Sequence, residues 1–262
     1  MRIAVAQTRG ESGRIDANLA LLEDRAHAAR DAEAGLLVLP ELFLTGYNTG
    51  PTTAALAEPV DGPSLARAAD IARATGTALL FGFAERAGNA VYNAAILIDA
   101  AGTVLGCYRK AHLYGDEKQR FSPGAGMPLT AHIGGLRCGV LICYDVEFPE
   151  AVRDLALRGC QAVLVPTALP AGMPEIPGLL VRARAYENQI FVAYADRCGE
   201  EDGLAYEGRS CIVGPDGVVL AAAGAEEALL VADLDPAAVR TARLRFDYLA
   251  DRRPNLYARL IV

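Results

Sequence analysis

The chain has 262 residues, of which 52% are hydrophobic and 22% charged, and its formal net charge is −7 at pH 7. These proportions describe a globular chain with a sizeable core and exclude a disordered one. The acidic balance, without a cluster of Lys and Arg, argues against nucleic-acid binding, and no apolar run nears the ~18 residues of a membrane span.

In chain order, Arg2–Gln7 reads as a buried strand, and the N-terminus lacks the long apolar stretch and cleavage site of a signal peptide, so a cytoplasmic protein is expected. Asp16 is expected to cap a helix whose apolar positions include Leu19, Leu22, Ala26 and Ala29. Residues 35–40 read as the next strand, 64–74 as a helix and 78–84 as a strand. Residues 91–99 and 103–109 read as a strand pair around Ala100-Ala-Gly102. Alternation of strands and helices implies a layered α/β fold.

The second half repeats this plan. Arg137-Cys-Gly-Val140 echoes Arg2-Ile-Ala-Val5, Val163-Leu-Val-Pro166 echoes Leu37-Val-Leu-Pro40, and the hairpin 212–220 echoes 97–105. The order predicts two α/β layers related by a pseudo-twofold axis, sheet on sheet with helices outside. They are joined near Ser122-Pro-Gly-Ala-Gly126 within a single domain spanning 1–262. Cysteines at 107, 138, 143, 160, 198 and 211 form no CxxC pair, and the three histidines lack ligand spacing, so neither a disulfide framework nor a metal site is expected.

Three reactive residue types each follow an apolar strand: Glu41 after 35–40, Lys110 after 103–109 and Cys143 after 136–142. Ligands gather at the carboxyl ends of strands in such sheets, so the three can converge on one pocket. A thiol needs a base or a nearby cation to become a nucleophile. Glu41 can take the proton, and Lys110 with the Tyr144 backbone N–H can hold the oxyanion. Taken singly, each also fits a blander role: Glu41 a cap, Lys110 a solvated strand end, Cys143 a core residue. Asp116, Asp145 and Glu147 flank these segments and can make the entrance acidic, or simply cap the following helix. His112, two residues from Lys110, offers a rival cysteine–histidine pair if both lie on one strand.

The segments Pro40-Glu-Leu-Phe-Leu-Thr-Gly-Tyr47, Tyr108-Arg-Lys-Ala-His112 and Leu141-Ile-Cys-Tyr-Asp-Val-Glu-Phe-Pro-Glu150 resemble the three signatures of the nitrilase (carbon–nitrogen hydrolase) superfamily, in order and spacing. The resemblance extends through Leu164-Val-Pro-Thr-Ala168, the stretch Arg182-Ala-Arg-Ala-Tyr-Glu-Asn188 and Gly214-Pro-Asp-Gly217, essentially end to end. Within the superfamily it is similar to the aliphatic amidase branch, 5-aminopentanamide-cleaving enzymes in particular. It implies an αββα sandwich that pairs into a four-layered homodimer, no cofactor or metal, and a small-molecule amide substrate. It further implies catalytic Glu41, Lys110 and Cys143, a second glutamate at Glu117, and Tyr47, Glu147, Thr167 and Ala168 around the substrate. Many relatives carry arginine at the position of Glu147, which argues against carboxylate-bearing substrates here. The same residues also suit a nitrile or an N-carbamoyl amine, and a non-catalytic scaffold on this fold is the reading from another class. The tail from about 240 to 262, ending in Leu260-Ile-Val262, is expected at a subunit interface.

Overall fold

A computed structural model describes residues 1–126 and 128–257; the expected apolar finish Leu260-Ile-Val262 lies outside them. The first half runs β1 (Arg2–Gln7), α1 (Ile15–Asp31), β2 (Leu36–Val38), α2 (Thr53–Leu56), α3 (Pro63–Thr75), β3 (Ala78–Ala87), β4 (Ala90–Ile98), β5 (Val104–Arg109) and α4 (Glu117–Arg120). The second runs β6 (Leu129–Ile133), β7 (Leu136–Val140), α5 (Pro149–Leu157), β8 (Ala162–Pro166), α6 (Val181–Asn188), β9 (Phe191–Ala195), β10 (Glu200–Glu201), β11 (Leu204–Ala205), β12 (Cys211–Val213) and β13 (Val219–Ala222). β14 (Ala228–Asp233) and α7 (Pro236–Arg245) follow.

Two six-stranded sheets result, ordered β14-β1-β2-β3-β4-β5 and β6-β7-β8-β9-β12-β13. Read along these orders, both sheets pair antiparallel, parallel, parallel, antiparallel, antiparallel. The expected repeat is therefore present, with one feature absent from the sequence reading. The first sheet takes its edge strand β14 from the far end of the chain, whereas the equivalent β6 directly precedes β7.

The strands are apolar on both faces, as sheets covered on both sides require. Ile3, Val5, Leu36, Val38, Leu80 and Leu97 face the second sheet, joining Val140, Ala162, Leu164 and Ala193. The alternate residues Ala4, Ala6, Leu37, Phe81 and Phe83 meet Leu19, Leu22 and Ala26 of α1 and Leu65, Ala68 and Ala72 of α3. Burying such side chains contributes about 1.5–3 kcal/mol each. On the other side α5 and α6 cover the second sheet through Val152, Leu155, Val181 and Ala185. This is the expected αββα layering.

Local expectations shift in three places. α1 starts at Ile15 with no side-chain cap, and Asp16 lies in its first turn, paired with Arg67 of α3 at 2.5 Å. β2 stops at Val38 rather than Pro40, since proline has no N–H for a ladder. β7 stops at Val140, and a 3-10 turn, Cys143–Glu147, separates it from α5. No helix among the described residues is long and apolar enough to cross a membrane.

Candidate active site

Glu41 stands in a sharp turn just past β2. Leu42 holds φ +47°, and the turn lies so close to β3 that a Cβ on Gly82 would strike the Leu42 nitrogen and the Glu41 Cα. Only glycine permits that approach. The guanidinium of buried Arg197 covers the turn, donating to the carbonyls of Leu42 at 2.8 Å and Arg9 at 2.7 Å. The equivalent turn of the second half meets it: the Glu41 N–H donates to the Thr167 carbonyl at 3.2 Å, and the Ala168 N–H donates to Glu41 Oε2 at 2.9 Å.

Lys110 leaves β5 with its side chain fully buried. Its Nζ donates to Glu41 Oε1 at 2.6 Å and to Glu117 Oε1 at 2.8 Å. Asn93 of β4 adds a donor to Glu41 Oε1 at 2.6 Å. Glu117, the first residue of α4, also accepts from the Tyr47 hydroxyl at 2.7 Å and from the Tyr114 N–H at 3.0 Å. Every carboxylate oxygen of this pair thus has at least one donor, the condition under which buried charges are tolerated.

Cys143 opens the 3-10 turn at φ +46°, a left-handed conformation unusual for a residue with a side chain. Asp145 fixes that turn from inside. Its carboxylate accepts from the Ile142 N–H at 3.1 Å, the Tyr108 hydroxyl at 2.9 Å and the His112 N–H at 2.9 Å. The strain at Cys143 is therefore held by a network running back to the strand that delivers Lys110.

The electrostatics suit a proton relay. Burial pushes the Cys143 thiol well above its ordinary value, Glu41 pushes the same way, and Lys110 opposes both. Burial also raises the Glu41 carboxyl, against the pull of Lys110. For Lys110 burial works against the charge, but Glu41, Cys143 and Glu117 outweigh it, and the ammonium is retained. A neutral thiol lies beside a carboxylate with raised proton affinity and a fixed cation. Such a group can transfer a proton as the sulfur attacks.

A small cavity of about 30 Å³ opens beside Cys143, lined by Tyr47, Tyr144, Glu147, Ala168, Leu169 and Met173, among others. Of the residues expected there, Tyr47, Tyr144, Glu147 and Ala168 line it. Thr167 does not; its hydroxyl donates to the Val165 carbonyl at 3.2 Å and its own carbonyl holds Glu41. The acidic entrance reduces to Glu147. Asp145 is buried in the turn, and Asp116 is exposed and pairs with Arg120 at 3.3 Å. His112 does not share a face with Lys110, because β5 ends at Arg109 and alternation ends with it. Its Nδ1 lies 2.7 Å from Asp145, and its ring stacks on Phe148 at 4.0 Å, away from the cavity.

Asn93 and Met173 were not among the expected site residues. A lone amide within the apolar run of β4 is the signal that marks Asn93; nothing local marks Met173. Among the described residues, no group of three or more His, Cys, Asp or Glu is placed to hold a metal ion.

A glutamate–lysine–cysteine group on an αββα sandwich, with a second glutamate on the lysine, defines a cysteine hydrolase of the nitrilase type. The comparisons agree: the Carbon-nitrogen hydrolase family profile matches residues 2–244, and the chain belongs to that family. It is 46% identical to a protein of Pseudomonas protegens described as "Hydrolase in pqqF 5'region", covering 98% of this chain and 90% of that one. It is 38% identical to an (R)-stereoselective amidase of a Pseudomonas species, covering 97% and 92%. Among solved structures, a double mutant of the amidase from Nesterenkonia sp. AN1 in complex with acrylamide superposes with a TM-score of 0.90 at 40% identity, covering 99% and 97%. Another mutant of that amidase carries the acetamide moiety of fluoroacetamide covalently on its active-site cysteine, at TM-score 0.89 and 41% identity, covering 98% and 95%.

Proposed function

We propose that the protein hydrolyses a small linear carboxamide to a carboxylic acid and ammonia, with Cys143 as nucleophile. The observation that carries this reading is the Lys110 ammonium fixed between Glu41 and Glu117, next to a buried thiol at a small cavity. Glu41 takes the Cys143 proton as the sulfur attacks the amide carbon. Lys110 and the Tyr144 N–H hold the resulting oxyanion. The C–N bond then breaks, Glu41 passes its proton to the leaving nitrogen, and ammonia departs from a thioester. Glu41 next takes a proton from water, whose oxygen attacks the thioester and releases the acid and the thiol. Glu117 orients Lys110 throughout.

Among the described residues, Glu147 is the one carboxylate lining the cavity. Burial raises its carboxyl, with Lys110 and Arg184 opposing. An amide with a distal ammonium, such as 5-aminopentanamide, can pair with it. Ammonia release from 5-aminopentanamide, pentanamide, valeronitrile and N-carbamoylputrescine tests both parts. Release from amides alone is expected, with kcat/KM favouring the amine-bearing amide about 5-fold, the ~1 kcal/mol of a partly exposed charge pair. Glu147→Gln is expected to erase that preference. Turnover of the nitrile or carbamoyl compound alone would overturn the amidase reading, and equal rates on the two amides would remove Glu147 from selectivity.

Five of the six cysteines are buried and none is paired, which fits a reducing compartment, so we place the enzyme in the cytoplasm. We further propose a homodimer formed through the tail from about 240. Leu244 (88% exposed), Phe246 and Tyr257 offer its described part an apolar surface. Sedimentation is expected to show a dimer that a chain ending at residue 245 does not form; an unchanged dimer would place the interface elsewhere.

A further inference from the structure

The loop carrying Tyr47 is held by a carboxylate far away in sequence. β10 and β11 form a two-residue hairpin, and its Glu201 side chain is buried. Glu201 Oε2 accepts the Tyr47 N–H at 3.0 Å, the Asn48 N–H at 2.9 Å and the Tyr206 hydroxyl at 2.5 Å. Asn48 reciprocates, its side-chain amide donating to the carbonyls of Glu201 and Asp202 at 3.2 Å each. Gly46 holds φ +87°, and a Cβ there would collide with Glu201 Oε1, so the loop accepts the carboxylate only with glycine at that point. On its other side Tyr47 is fixed by Arg120, which donates to its carbonyl at 2.7 Å. Burial alone would push the Glu201 carboxyl up. Arg197, Tyr206 and the two loop N–H groups outweigh burial and hold the carboxyl below its ordinary value, so the acceptor remains charged.

Glu201 does not line the cavity beside Cys143, whereas Tyr47 does. The connection runs through the Tyr47 hydroxyl, 2.7 Å from Glu117 Oε1, the same oxygen that receives Lys110 Nζ at 2.8 Å. We propose that Glu201 is a positioning residue for the hydrolysis, acting through Tyr47 on the Glu117–Lys110 pair. The proposal rests on the role given to that pair above. Without the carboxylate, three donors lose their acceptor, the loop backbone relaxes, and the hydroxyl loses its register on Glu117. Small misplacements behind reacting groups slow the chemical step more than they weaken substrate binding.

A double-mutant cycle on kcat tests this, using Glu201→Ala, Tyr47→Phe and the pair, with KM and Tm recorded for each. Each single change is expected to lower kcat about 10-fold with KM within about two-fold, and the double variant to be no slower than Tyr47→Phe alone. Glu201→Gln, which keeps an acceptor oxygen for the loop, is expected to recover most of the loss. Two losses that multiply to about 100-fold, a loss confined to KM, or no recovery with glutamine would each overturn the proposal. Should Glu201→Ala fail to fold, Glu201→Asp, which keeps the charge but withdraws it by one methylene from the loop N–H groups, completes the same cycle with Tyr47→Phe. An unchanged kcat in Tyr47→Phe would also overturn the proposal, while leaving the role of the Glu117–Lys110 pair to the Lys110→Met variant.

Discussion

Cys143→Ala is expected to stop ammonia release while the protein folds as before. The loss should be on the order of a million-fold, the scale seen when a nucleophile that works as one unit with its base is removed. The change deletes one sulfur beside an existing cavity, and alanine at φ +46° is no more strained than cysteine. The turn that holds this position is fixed by Asp145 rather than by the thiol. Rate, Tm and intact mass after treatment with a haloacetamide decide the matter together. In the wild type one adduct should form first at Cys143, because this thiol lines a cavity with the buried Lys110 cation and the Glu41 base acting on it, whereas Cys107, between Glu85 and Arg109, lies outside that cavity. Residual activity above about a tenth of wild type in a folded variant would mean that another group attacks the substrate.

Lys110→Met should damage both function and fold. The ammonium joins two fully buried carboxylates, and its removal leaves Glu41 and Glu117 facing each other without a counter-charge. Breaking a buried pair in this way costs about 3–5 kcal/mol, and loss of an oxyanion donor costs about 100- to 1000-fold in kcat. The stability defect should depend on pH with a definite sign. Without the cation, burial and the charge of Glu117 raise the Glu41 carboxyl unopposed above its unfolded value, so the native state binds more protons than the unfolded one. The variant is therefore expected to gain on the wild type as pH falls toward 5 and to fall behind as pH rises past 7. Urea midpoints at the two pH values measure this. Equal midpoints for both proteins at pH 7 would show that the ion pair contributes nothing to the fold.

Much of this architecture was legible in the sequence because the strands are short, apolar on both faces and followed by turn residues. Glu41, Lys110 and Cys143 stood out as reactive types placed after such runs, and the structure brings Glu41 and Lys110 into contact with Cys143 in their field. Glu117 came only through the resemblance, with Asp116 of the same charge beside it; burial and the contact with Lys110 separate the two. Asp145 misled for a physical reason: a carboxylate before a helix reads as an exposed cap, whereas here it is buried under Tyr108 and His112. Asn93, Arg197 and Glu201 act across more than 50 residues of chain, and no local pattern reveals a partner at that distance.

The pairing of β1 with β14 also sets an order of events during synthesis. At about 5–20 residues per second, the roughly 220 residues between Gln7 and Ala228 take on the order of 10–45 s to emerge, and for that time the outer edge of β1 has no partner. An open, apolar edge is where a nascent chain pairs wrongly with its neighbours. The sheet from Leu129 to Ala222 draws every strand from its own span, so its pairing can be complete before β14 emerges and can offer the waiting strands a face on which to settle.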